Sequence, residues 1–329
     1  MLTKRNVLMA LAGAGLATHS TSTGTGTGWA QTYPDRPIKL IVPFPAGGPT
    51  DVMARLIAQW LTRTVGSVTL ENKAGAGGTI GTRSVAAADA DGYTLLFGGT
   101  STLAINPAVY KDLRYDPITS FAPVAMVSTS PFVLAINPSL PVHSVEQLIK
   151  YANANPGKVN FGSAGIGTTP HLTGELFKSL TGVDIVHVPY KGGAPVITDL
   201  LAGQIQMTFE LTAVLLPLLQ AGRLRALAVA TEARHPDLPD VPTMAESGVP
   251  GCLASSWFGV VGPAGMPAHV VEKLNLEINR SLRSDEIVAS LNKLGSQPKI
   301  GTPQEFAALI ATEVQRWRTI AESTAMAVN

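Results

Sequence analysis

From Pro37 onward, short apolar runs alternate with longer stretches whose apolar residues recur at helical spacing. Ile38–Val42 reads as a strand. Val52-Met53, Leu56-Ile57 and Trp60-Leu61 form one face of a helix that stops at Gly66. Ser67–Glu71 reads as a strand, Gly75–Gly81 as a glycine turn, the stretch through Val85–Ala88 as a helix, and Tyr93–Gly98 as a strand. A second unit starts near Val133. Its strands are Pro131–Ile136, Val159–Gly162, Ile185–Val188, Ile205–Phe209 and Leu224–Ala230. Its helices are His143–Ala154, capped by Ser144, then Pro170–Leu180, apolar at Leu172, Leu176, Phe177 and Leu180, and Pro195–Leu201. Gly162–Thr169 is a second glycine turn. Trp257–Gly262 reads as a returning strand, and 269–282, 285–294 and 303–322 as helices.

Strands alternating with helices imply a parallel sheet covered on both faces. The predicted architecture is two α/β lobes. The first comprises 31–131 and 255–329, and the second 132–254. Two chain crossings, near Ser130 and Trp257, are natural hinges, and the helical tail packs on the first lobe.

Composition narrows the class. Of 329 residues, 45% are hydrophobic and 14% charged, with formal net charge +1. A large core is available, and neither disorder nor nucleic-acid binding fits. The first thirty residues read as a signal peptide: Lys4-Arg5, a short apolar run from Val7 to Ala17, and small residues ending at Ala30. Export by the general route into the periplasm is the expectation, since the second arginine of a twin-arginine signal is missing. The single cysteine, Cys252, rules out an internal disulfide and reads as a small buried hydrophobe.

The glycine turns raise three enzyme readings. No G-x-x-x-x-G-K-[ST] run exists. Gly75 to Gly81 misses a dinucleotide fingerprint because Ile80 takes the third glycine position. Phe161-Gly162-Ser163-Ala164-Gly165 misses a nucleophile elbow at its first position. The six histidines show no metal-ligand spacing. Two glycine-rich turns opening helices remain: Ala46-Gly47-Gly48-Pro49-Thr50-Asp51 and Gly162 to Thr169. Such turns gather backbone N–H groups around an anion, aided by the helix dipole. Neither contains a cation, which favours a carboxylate over a polyphosphate. Ordinary αβ connections capped by Thr50, Asp51 and Thr169 share this spacing.

Several motifs resemble the substrate-binding proteins of tripartite tricarboxylate transporters, the Bug (TctC-like) family of periplasmic receptors. They are YPDRPI at 33–38, PFPAGGPTD at 43–51, ENKAGAGG at 71–78, DGYTL at 91–95, HLTGELF at 171–177, HVPYKG at 187–192 and LAV at 227–229. They run in the family's order over nearly the whole mature chain. The resemblance implies a two-lobed, type II-like Venus flytrap without catalysis, cofactor or metal. A small carboxylated or amidated solute would lie in its cleft, for delivery to membrane permease subunits. Ala46, Gly47, Gly48, Thr50 and Asp51 would hold one carboxylate. Ser163, Ala164, Gly167 and Thr168 would close on it, with Thr100 and Ser101 also at the cleft. The family often has glycine where Pro49 stands, and Pro49 removes one N–H.

Three further residues stand near these segments. Lys191 attracts anions or is simply solvated. Tyr190 faces the solute or packs with its hydroxyl paired. Glu210, at a strand end where the family often has aspartate, reaches the solute's distal end or caps the surface. At that end it would disfavour a second negative charge and welcome an amine, amide or hydroxyl. Two rival classes are an exported hydrolase using Ser163 or Cys252, and a sensory module feeding a signalling partner such as a sensor kinase.

Overall fold

The computed structural model describes residues 33–323, so the signal-peptide reading of 1–30 lies outside the described residues. Strand β1 (Ile38–Val42) buries every residue except Lys39. That pattern requires cover on both faces. β1 pairs in parallel with β2 (Val68–Asn72) and β3 (Thr94–Gly99). Helix α1 (Pro49–Thr64) makes the first connection and buries Met53, Ala54, Ile57, Ala58 and Leu61, an amphipathic stripe. The second connection ends in α2 (Thr79–Ala86). After β3 comes one wide helical turn, Ser101–Ile105, running into the short helix α3 (Asn106–Val109).

The main departure from expectation is β4 (Phe121–Ile136), 16 residues long where only its last six read as strand. Its first part pairs with the returning strand, with register shifts between Pro123 and Ala125 and between Met126 and Ser128. Each shift breaks the period of two that marks a strand in sequence. Its last part, Phe132–Ile136, belongs to a second sheet.

That second sheet contains β5 (Val159–Ser163), β6 (Ile185–Pro189), β7 (Met207–Leu211) and β8 (Arg225–Val229). β5 is parallel to β6 and β7, while β7 and β8 flank β4 antiparallel. Its helices are α4 (Val145–Ala154), with Ser144 accepting the Gln147 N–H as its cap, α5 (Thr169–Thr181), α6 (Gly193–Leu201) and α7 (Thr212–Gln220). In α5, Leu172, Leu176 and Phe177 are buried as expected, but Leu180 is 46% exposed. Helix α7 has no counterpart in the sequence expectations, because Pro217 interrupts an almost uniformly apolar stretch.

β9 (Ser255–Pro263) returns between β3 and β4, antiparallel to both. The sheets are therefore mixed. Parallel pairing holds for β1–β3 and for β5–β7. The centre is antiparallel, because β4 and β9 cross together, with Ser130 opposite Ser256 and Thr129 opposite Trp257. Helices α8 (Ala268–Ser281), α9 (Asp285–Lys293) and α10 (Pro303–Ser323) follow, with the two-residue β10 (Gln297–Pro298) on the β4 edge. α10 inserts Phe306, Ile310, Val314 and Trp317 into a cluster with Leu103, Ile105 and Trp257. Leu172 of α5 joins the same cluster.

Candidate functional site

Three strand-to-helix turns converge: β1 to α1, β5 to α5 and β6 to α6. With Ser101, Phe132, Glu210, Leu211, Ser256 and Phe258 they line a cavity of about 130 Å³. Gly192 to Pro195 of the third turn escape a motif search. Their signal is nonetheless visible, since two glycines and a proline between strand and helix repeat the pattern of Gly47-Gly48-Pro49.

Helix N-termini carry N–H groups with no helical acceptor. In α1, Pro49 sits at the first position, where an N–H would make no helical bond. It removes an anion donor and costs the helix nothing. The Thr50 and Asp51 N–H groups have no backbone acceptor among the described residues. The same holds for Gly193 and Ala194 at the start of α6. Both helix ends also add partial positive charge.

Asp51 faces away from this cavity. Its carboxylate accepts the Gly47 N–H at 2.9 Å, Arg55 at 2.8 and 3.1 Å, and Asn72 at 2.9 Å. Burial opposes its charge, but hydrogen bonds from Arg55, Gly47 and Asn72 outweigh this and hold the carboxyl below its ordinary value. Gly47, at φ 83°, makes the bend that this closure needs. Asp51 and Gly47 thus brace the turn whose other residues, Ala46, Gly48 and Thr50, line the cavity.

The second turn spends most of its polar groups internally or across the cleft. Thr168 donates its hydroxyl to the Gly165 carbonyl at 2.6 Å, and the Gly167 N–H donates to His171 Nδ1 at 3.3 Å. The Thr169 N–H donates to Ser101 Oγ at 3.2 Å. Ala164 and Thr168 line the cavity, whereas Gly167 and Ser163 do not. The Gly193 and Ala194 N–H groups of α6, by contrast, have no such partners among the described residues.

Ser163 Oγ lies 2.6 Å from His187 Nε2, a pairing that suggests an activated nucleophile. The surroundings argue otherwise. Ser163 is fully buried. No carboxylate bonds His187 among the described residues. Burial, then His171 and Lys178, pushes the His187 ring down to about 3, and burial with Lys178 brings His171 to about 4. These rings, stacked at 4.0 Å, are neutral packing elements behind the turn. Cys252 is likewise fully buried, and burial pushes its thiol up to about 12.

Thr100 is buried behind the cleft, where its Oγ1 accepts the Trp257 N–H at 2.9 Å. Tyr190 donates to Asp199 at 2.7 Å and does not line the cavity, so its hydroxyl is paired. Lys191 does line it. Glu210, on β7, is 4% exposed and lines the cavity. The single hydrogen bond to its carboxyl among the described residues comes from the Leu211 N–H, at 2.8 Å. Burial pushes this carboxyl up to about 7. The arrangement suits an anion at α1 and α6, an apolar middle against Phe44, Phe132 and Phe258, and a hydrogen-bonding end at Glu210. Among the described residues, no group of three or more His, Cys, Asp or Glu is placed to hold a metal.

Comparison with known proteins places this geometry in context. The model of a family described as "Tripartite tricarboxylate transporter family receptor" matches residues 53–326. Protein BugT of Bordetella pertussis is 42% identical over 297 residues, covering 90% of this chain and 91% of BugT. The solved structure of R. palustris Rpa4515 with adipate superposes with TM-score 0.86 at 41% identity, covering 90% of this chain and 99% of that one. MatC of Rhodopseudomonas palustris with bound malate gives TM-score 0.84 at 32% identity, covering 88% of this chain and 99% of the other.

Proposed function

This chain belongs to the tripartite tricarboxylate transporter family of receptors, and from that premise we propose that it captures a small carboxylated or amidated solute between its lobes for a membrane permease. It is a receptor and not an enzyme. The observation that carries the solute class is the convergence of the α1 and α6 N-termini, with unpaired amides, on an apolar-walled cavity. The adipate and malate in the two solved relatives support a carboxylate ligand. Thr50 and the amides of Thr50, Asp51, Gly193 and Ala194 anchor one carboxylate. Lys191 adds attraction at the cleft mouth. The hydrocarbon lies on Phe44, Phe132, Pro170 and Phe258. Glu210 meets the far end, where an amide, amine or hydroxyl suits a buried carboxyl better than a second negative charge.

The lobes are 31–131 with 255–329, and 132–254, hinged where β4 and β9 cross. Closure brings α5 and α6 onto α1, so solute binds best to the closed form. The protein works in the periplasm after loss of its leader. A thermal-shift screen of monocarboxylates, ω-amido carboxylates and dicarboxylates tests the reading. Ligand at a hundred times its Kd stabilises the native state by about 2.7 kcal/mol, which a melting curve resolves. Absence of a shift with every carboxylate overturns it.

A further inference from the structure

Behind the cleft lies a second cavity of about 350 Å³. Five residues line both spaces: Gly48, Pro49, Gly193, Ala194 and Glu210. The rest of its wall is mainly apolar, with Val52 and Met53 of α1, Ile197 of α6, Val214 of α7, and Leu294. Gly193 and Glu210 stand on the boundary that the two spaces share. Gly193 carries no side chain, and a Cβ there would stand 3.4 Å from Glu210 Oε2. Glu210 itself is buried, with one hydrogen bond to its carboxyl, and stands where the two spaces meet. An apolar chamber that shares its wall with the cleft has a natural occupant, the remainder of the same ligand.

We propose that the cleft continues past Glu210 into this chamber, and that the solute carries an apolar body behind its carboxylate and hydrogen-bond donor. The proposal rests on the receptor reading above and adds the shape of the ligand. The carboxylate sits at α1 and α6, the donor faces Glu210, and the apolar body lies against Val52, Ile197 and Val214. The preferred solutes are therefore substituted amido carboxylates rather than compact dicarboxylates.

The test compares succinamate with N-phenylsuccinamate by calorimetry on the full mature chain. Both present a carboxylate and an amide N–H, and only the second has an apolar body. The phenyl compound should bind about tenfold tighter or more, the gain expected for burying a ring of that size. Val214→Trp, which plugs the chamber, should erase that gain and leave succinamate binding unchanged. Ile197→Trp, on α6 rather than α7, provides a second plug should the first fail to fold. Equal affinities for the two compounds, or a gain that survives a folded plug variant, overturn the chamber and leave the receptor reading standing. Failure of both compounds to bind overturns the chamber, while the receptor reading is decided by the carboxylate screen above.

Discussion

Asp51 and Gly47 are joined by a 2.9 Å hydrogen bond that closes the first glycine turn on itself. The carboxylate is therefore a brace behind the cleft, whereas its neighbour Thr50 lines the cleft and its hydroxyl has no partner among the described residues. The two residues should respond differently to alanine. Asp51→Ala should lower stability by about 1–3 kcal/mol, the cost of losing the charge-assisted hydrogen bonds from Gly47, Arg55 and Asn72, and weaken solute binding as well. Thr50→Ala should weaken binding alone. Urea denaturation alongside calorimetry separates them, and equal stability in both variants would contradict the brace. The Asp51 contribution is present above the unfolded carboxyl value near ~4 and is lost as pH falls through the lower folded value.

The Tyr110 hydroxyl donates to the Ile166 carbonyl at 3.0 Å, joining the α3 segment to the second glycine turn. A Cβ at Gly77 or Gly167 would strike the Tyr110 side chain, at 2.7 and 2.8 Å, so both glycines leave room for it. Tyr110→Phe removes this bond, which under the two-lobed reading forms only on closure. Solute affinity should fall about two- to tenfold, with chemical stability little changed. Small-angle scattering should show a larger solute-free radius for the variant. An unchanged affinity removes Tyr110 from the closing contacts.

Two neutral histidines behind the second turn give stability a defined pH dependence. Both rings titrate below their ordinary value near ~6.5, at about 4 and about 3, chiefly through burial. Between those limits the unfolded chain binds protons that the folded chain refuses. Stability should fall as pH drops from about 6.5 toward 4, by about 1.4 kcal/mol per pH unit for each ring. Urea midpoints measured across that range check the slope, and His171→Gln should lower it. The Ser163–His187 pair should show no esterase activity with p-nitrophenyl acetate, and turnover lost in Ser163→Ala would reopen the hydrolase reading.

Glu210 titrates in the opposite sense. Burial raises its carboxyl to about 7, so the folded protein holds a proton that the unfolded chain has released above its ordinary value. As pH rises through 7 the cleft gains a buried negative charge. Adipate should then bind progressively more weakly, approaching about tenfold per pH unit once ionisation is complete. Glu210→Gln should flatten this profile. A pH-independent affinity in the wild type would place Glu210 outside the solute's reach.

Much of this molecule is readable from its apolar spacing. β1, α1 and the parallel pairs carry clean periods, and Ser144 and Ser284 cap α4 and α9 by accepting the Gln147 and Ile287 N–H groups. The first half of β4 is not readable, because its register shifts scramble the alternation of Val124, Ala125 and Val127. α7 hides behind Pro217. At the site, glycine turns locate the cleft but not the direction of each side chain. Asp51, Ser163 and Tyr190 are polar residues in the right segments, yet they bond to Gly47, His187 and Asp199 rather than face the cavity. The start of α6 is visible in Gly192-Gly193-Ala194-Pro195. Its approach to α1 at the cavity is a three-dimensional meeting that spacing does not encode.

The position of β9 sets a condition on completing the first sheet. It lies between β3 and β4, so the first sheet has a gap until residues 255–263 have been made. All of β5 to β8 and α4 to α7 is synthesised before that gap can be filled. Pairing across such a sequence distance is slow, and the open edges of β3 and β4 stay unsatisfied meanwhile. A chain ending at Ala254 should show no cooperative urea transition for its first lobe. A sharp transition matching that of the full chain would show that the sheet closes without its last strand.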